Sequence, residues 1–171
     1  VKDGVSIGSQ AGKVTVSGAT TEITGGNVTS KTGDVDIIGS TTNTLSGVSV
    51  GGKEVSVTGG AVSVTGGTVA GSAAVAIAGT TSTEGNGVDV DGKTVEVGAA
   101  NSGTTIDGGT IDGAAGVEVN GATVSVNNNA EIKAEYGDVS LKAATVNYVD
   151  SGTSIKAESG GVTIALAPAT G

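Results

Sequence analysis

Two aliphatic residues separated by one polar or small residue return eight times along the chain. The pairs are Val14/Val16, Val35/Ile37, Val55/Val57, Val75/Ile77, Val95/Val97, Val117/Val119, Val139/Leu141 and Val162/Ile164. From one pair to the next the step is 21, 20, 20, 20, 22, 22 and 23 residues. A recurrence at this period marks a solenoid, because one short repeat cannot bury its apolar face alone and must stack on its neighbours.

Composition narrows the cross-section of that solenoid. Among 171 residues there are 32 glycines, one proline and no Phe, Trp, Met, Cys or His, and the only aromatics are Tyr136 and Tyr148. A thick core draws on large aromatic side chains for buried area, so this interior must be narrow enough for Val, Ile and Ala to fill. The regular alternation of β-branched and polar residues argues against the disorder that a Gly-, Ser- and Thr-rich composition otherwise suggests. Absence also constrains chemistry. Without His or Cys there is no histidine-based triad, thiol nucleophile or ordinary zinc site. Without Arg there is no bidentate clamp for phosphate. A net charge of −9 repels nucleic acid and anionic membranes, and no apolar run reaches the roughly 18 residues of a membrane-spanning helix.

Within each pair the middle residue is Thr15, Asp36, Ser56, Ala76, Glu96, Glu118, Ser140 or Thr163, which predicts a strand with one buried and one wet face. Two residues beyond each pair stand Gly18, Gly39, Gly59, Gly79, Ala99, Gly121 and Ala143. Such a column predicts a corner, where a bulky side chain clashes or φ is positive. A middle segment carries Ile23, Leu45, Val62/Val64, Ile106, Val124/Val126 and Val146/Tyr148, and a third carries Val28, Val48/Val50, Val69, Val88/Val90, Ile111, Ile132 and Ile155. Turn formers separate them, among them Gly25-Gly26, Gly51-Gly52, Gly66-Gly67, Asp91-Gly92, Asp107-Gly108-Gly109 and Asn127-Asn128-Asn129. The prediction is a right-handed parallel β-helix of about eight coils, 20–23 residues each, with three short strands per coil and one continuous unit over residues 1–171. An antiparallel sandwich would not need the same corner residue at the same phase seven times.

The pattern begins and stops mid-coil. Val5-Ser6-Ile7 matches a third strand, Val162-Thr163-Ile164 a first strand, and no cap is evident at either end. The expectation is a rod uncapped at both ends, continued in a longer chain or by end-to-end stacking of copies.

Asp and Glu are the only plausible metal ligands. Asp89 and Asp91 flank Val90, Asp107 and Asp112 bracket a double glycine, and Glu131, Glu135 and Asp138 cluster near Tyr136. None meets the Gly-Gly-x-Gly-x-Asp calcium pattern, and solvated surface acids are the better reading. Thr20-Thr21, Thr41-Thr42, Thr80-Thr81 and Thr104-Thr105 follow the corner in four coils, but strand propensity explains them better than an ice-binding ladder. Lys13, Lys53 and Lys93 recur near strand starts with Asp34, Glu54 and Asp138, which predicts charge pairs between adjacent coils.

The strings GDVSLKA (Gly137 to Ala143), GDVDIIG (Gly33 to Gly39) and GGVTIALA (Gly160 to Ala167) resemble the degenerate repeats of filamentous-haemagglutinin-type adhesins, secreted by the two-partner route. The resemblance implies a right-handed parallel β-helix that serves as a secreted or surface-exposed bacterial rod, with a host or cell-surface glycan or protein as partner. The closing Leu166-Ala-Pro-Ala-Thr-Gly171 departs from a sortase signal by its alanine before proline. The expected function is a structural, non-enzymatic segment of an extracellular fibre or adhesin. A self-assembling filament subunit is the next reading, and a carbohydrate-binding or carbohydrate-cleaving β-helix the alternative of another class. No catalytic, cofactor-binding or metal-binding residue is assigned, and neither cofactor, nucleic acid nor membrane insertion is expected.

Overall fold

A computed structural model describes residues 4–166; the first three residues and 167–171, most of the Leu166–Gly171 motif, lie outside it. The described residues form thirteen strands and no helix. In chain order they are β1 (Ser6–Ser9), β2 (Val14–Thr24), β3 (Asn27–Ser30), β4 (Val35–Ser46), β5 (Ser49–Thr65), β6 (Thr68–Asn86), β7 (Asp89–Val97), β8 (Gly103–Asp107), β9 (Thr110–Asn127), β10 (Glu131–Ala134), β11 (Val139–Val149), β12 (Ser154–Ala157) and β13 (Val162–Leu166). Every pairing is parallel and joins one coil to the next, which makes a β-solenoid of about eight turns.

The predicted pairs define the first face. Val14, Val35, Val55, Val75, Val95, Val117, Val139 and Val162 stand in register, as do Val16, Ile37, Val57, Ile77, Val97, Val119, Leu141 and Ile164. Ile23, Leu45, Val64, Gly85, Ile106, Val126 and Val149 form the inward column of the second face. The third is Ile7, Val28, Val50, Val69, Val90, Ile111, Ile132 and Ile155. These columns converge on one hydrophobic core only a few side chains wide. With coils ~4.8 Å apart, seven steps give a rod of roughly 34 Å.

The structure differs from the three-strand scheme in four places. First, Gly51-Gly52 and Asp91-Gly92 are not turns but lie inside β5 and β7, because the ladder continues around that corner. Second, the corner glycines Gly39, Gly59, Gly79 and Gly121 keep negative or extended φ, so steric closeness alone selects them: a Cβ on Gly59 would sit 2.6 Å from the Gly39 oxygen. Third, Ala99 does not join that column in a strand; the fifth coil leaves the ladder after Val97 and re-enters it at Gly103. Fourth, Val146 and Tyr148 point outward, 52% and 53% exposed, while Asn147 takes the place opposite Val124.

A two-coil rhythm underlies the single-coil period. The residue before each third-face strand runs Val5, Gly26, Val48, Gly67, Val88, Gly109, then Ala130 and Thr153. Val48 and Val88 are buried, and Val88 fills space beside Gly85. Gly26, Gly67 and Gly109 adopt φ of 77–78°, and each lies against the backbone of the valine one coil below. The valine carbonyl then accepts from the next coil: Asn27 to Val5 at 3.0 Å, Thr68 to Val48 at 3.0 Å and Thr110 to Val88 at 3.1 Å. Large and small residues therefore alternate along that edge of the core, which lets neighbouring coils interdigitate.

Candidate functional site

The acidic residues singled out in the sequence are spread over separate faces. Asp89 and Asp91 are exposed on β7, where Asp91 stacks beside Asp112, and Asp112 is held by Lys133 at 3.0 Å. Asp107 lies on another face and accepts a hydrogen bond from the Asn128 amide, so it shares no site with Asp112. Glu131 stacks between Thr110 and Ser154, while Asp138 accepts a bond from the Gly161 N–H at 2.7 Å. Among the described residues no three Asp or Glu side chains converge on a point where a metal ion could sit.

Charge pairing between coils occurs, with different partners from those expected. Lys13 bonds Asp36 rather than Asp34, and the Asp34 carboxylate instead accepts the Glu54 N–H at 3.3 Å. Lys142 bonds Glu118 at 3.1 Å, whereas Lys53 and Lys93 have no carboxylate within 4 Å among the described residues. The bridge from Asp36 raises the Lys13 pKa, and that from Asp112 raises the Lys133 pKa.

The densest polar arrangement lies on the outer side of the first face. Glu96 and Glu118 stand in register on adjacent coils, and the Asn120 amide donates to Glu118 at 2.8 Å and to Glu96 at 3.5 Å. Asn120 was not legible as a partner, although a residue two positions along a strand shares the face of Glu118. Their backbones are one coil apart, ~4.8 Å, which makes them the carboxylate pair to weigh as a glycosidase-type acid and base. A general acid there needs a raised pKa. Glu118 has the reverse: its pKa is lowered, first by the Asn120 bond, which outweighs the upward push of burial, with Lys142 adding to the lowering. The cluster is a clamp between coils that favours the ionised form.

Polar side chains also enter the interior, which the sequence did not reveal. Thr21, Asn43, Val62, Thr83, Thr104, Val124 and Asn147 share one inward column at the start of the second face. Asn43 is fully buried and its amide donates to the Ile37 carbonyl at 2.9 Å and the Thr58 carbonyl at 3.2 Å. Thr104 donates to the Asn120 carbonyl at 2.6 Å, and Thr83 accepts the Gly79 N–H at 2.8 Å. The valines in this column follow corners with one extra residue, Gly60 or Ala122. Asn43, Thr83 and Asn147 follow corners with two. Thr21 is polar after a corner with only Ala19, so corner width alone does not set the choice; each of these side chains satisfies a backbone group beside it, as Thr21 does the Ile38 carbonyl at 3.0 Å.

No continuous threonine face forms. Thr20 stacks on Thr42, but Ala61, Ser82 and Gly103 continue that column, Thr80 and Thr81 sit in a corner, and Thr21 and Thr104 point inward. Tyr136, 76% exposed, overhangs a shallow groove floored by Gly71, Gly92 and Ala114, with Asp91 and Lys93 at its rim. Compared with protein-family models, with curated proteins and with solved structures, the chain matches none.

Proposed function

We propose that the chain is a structural, non-enzymatic stretch of an extracellular or cell-surface β-solenoid fibre or adhesin, on whose two ends further coils stack. One observation carries this reading. The inward columns of the first and third faces are apolar through every described coil, and the first reaches the last of these as an open apolar edge. Val139 and Leu141 are fully buried, while Val162 and Ile164, one coil on, are 46% and 50% exposed. Among the described residues, the strands β1 and β13 each have a single neighbour, which leaves a row of unpaired backbone groups on their outer sides. The outward faces are acid-rich and keep such a rod soluble.

Copies of the chain stacking head to tail are the second reading, and the same open edges favour it. Electron microscopy of the isolated chain over a range of concentrations separates the two. Filaments that lengthen with concentration, and that Ile164→Lys abolishes, support self-stacking. Rods that never elongate refute it and leave continuation within one longer chain. A carbohydrate-binding role rests on the Tyr136 groove, where a sugar ring can stack on an exposed phenol. Tyr136→Ala without effect on binding to a glycan panel removes that role.

A further inference from the structure

The second-face strand of the seventh coil sits in a register that its own sequence opposes. Val146 pairs with Thr123 and Tyr148 with Ser125, both outward positions, whereas Asn147 pairs with Val124 in the inward column. The Asn147 Oδ1 has no hydrogen-bond partner there. A slip of one residue would set Val146 on Val124, Asn147 on Ser125 and Tyr148 on Val126. Because side chains alternate with period two, that single step turns Val146 and Tyr148 inward and sends Asn147 and Val149 outward, a net exchange of one amide for one more apolar side chain in the core.

The fold has slack for the step. Two residues lie between Ala143 and Val146, while the same corner one coil below needs only Ala122 between Gly121 and Thr123. On its far side this strand carries no ladder among the described residues, because β13 lies over residues 139–143. The ladder to β9 can re-form one residue on, so the bonds specific to the observed register are those at its ends, including the Asp150 N–H to the Val126 carbonyl at 2.9 Å, and two from side chains to the coils above and below. The Asn147 amide donates to the Ala165 carbonyl at 2.7 Å, and the Thr145 hydroxyl to the Ala122 carbonyl at 2.8 Å.

We propose that residues 145–149 form a two-position register switch, latched by Asn147 on the backbone of the eighth coil. With Ala165 engaged, Val146 and Tyr148 are displayed on the side of the rod. When β13 lifts away, Asn147 loses its acceptor, the strand slips by one residue, and the apolar pair turns into the core. The side surface near this end thus reports whether the next coil is docked, whatever the role of the rod as a whole.

Tyr136→Phe leaves Tyr148 as the sole tyrosine and therefore the fluorescent probe. In that background Asn147→Val suits the inward column, as Val62 and Val124 do, and holds the observed register; Asn147→Ser is too short to reach Ala165. Acrylamide is expected to quench Tyr148 strongly in the valine variant and to lose most of that quenching in the serine variant. Equal quenching in both, with unchanged circular dichroism, overturns the switch. A second measurement covers the case in which a variant misfolds. The pair Ser125→Cys/Asn147→Cys removes the latch and meets only in the slipped register, so it is expected to form a disulfide under mild oxidation. Thiols that stay free in the folded protein overturn the proposal.

Discussion

Two adjacent glycines, Gly66 and Gly67, turn the third coil from its second face to its third, both with positive φ (59° and 78°), yet alanine should be tolerated very differently at each. At Gly66 a Cβ meets nothing within 4 Å. Its cost is the left-handed strain of an L-residue, about 1–2 kcal/mol. Loss of glycine's freedom in the unfolded chain offsets ~0.4–1 kcal/mol of that, leaving about 1 kcal/mol. At Gly67 the strain is the same, but the Cβ would lie 2.7 Å from the Val48 nitrogen and closer still to its carbonyl oxygen. The turn must move away from Val48, and the Thr68 N–H to Val48 carbonyl bond at 3.0 Å goes with it. Leaving that acceptor unpaired at the core edge adds ~1–3 kcal/mol. Gly67→Ala is therefore expected to cost roughly 2–4 kcal/mol in all, against about 1 for Gly66→Ala. Urea unfolding followed by circular dichroism measures both, and amide exchange at Thr68 locates the damage. Costs for the two variants within about 0.5 kcal/mol of each other, a spread usual for innocuous substitutions, would refute the alternating-coil explanation. The same contrast is expected between Gly108, which is nearly open, and Gly109, packed on Val88.

Other perturbations probe the remaining contacts. Leu141→Ala, at a fully buried position, should cost about 2–5 kcal/mol in urea unfolding. Thr104→Val deletes the bond to the Asn120 carbonyl in the interior and should cost ~1–3 kcal/mol, while Thr105→Val on the outward face should change little. For acid, Glu118 has a folded pKa below its unfolded value of about 4.3, so its contribution is present above that pH and is lost as pH falls through the folded value. For base, Lys13 and Lys133 have folded pKa values above about 10.4, so theirs is present below that pH and is lost as pH rises through the folded values. Melting temperature should thus be flat in between and fall modestly on either side, and Glu118→Gln should remove part of the acid limb. Excising residues 47–86, two coils, should give a shorter rod that melts cooperatively, whereas excising 47–65, one coil, should give a looser one with faster amide exchange beside the junction.

The single-coil period was legible because its signal is local: an inward residue every second position and a small residue at a fixed distance beyond. Corner length was not, because nothing local shows how many residues a bend consumes. That is why Val146 and Tyr148 read as core and proved to be surface: with parallel strands, one extra corner residue inverts every side chain after it. The inward Asn43 and Thr83 were hidden for a related reason. A polar residue in a core column looks like an outward one until the carbonyls it satisfies, here Ile37 and Thr58 for Asn43, are brought beside it by the fold. Ion pairs between coils were expected in kind but not in partner, since Lys13 meets Asp36 only when the 21-residue offset between the coils is known.

The alternation of Val and Gly before the third face has a consequence for how the rod holds together. In a stack of identical coils each interface would be equivalent, and a break could open anywhere at the same cost. Here each interface above a valine coil, such as Val48 under Gly67, is fitted closely: the glycine backbone occupies space that no side chain could share. The interface above a glycine coil carries its own bond, Ser49 to the Gly26 carbonyl at 3.0 Å, and sets a buried valine over the glycine. Removing one coil would place Gly67 over Gly26 and delete the volume of Val48, leaving both the close fit and the filled core unmade. Removing two brings Val88 over Gly26 and restores each. From Val5 to Gly109 the unit that this sequence repeats is therefore a pair of coils, and Ala130 and Thr153 end that alternation in the last two.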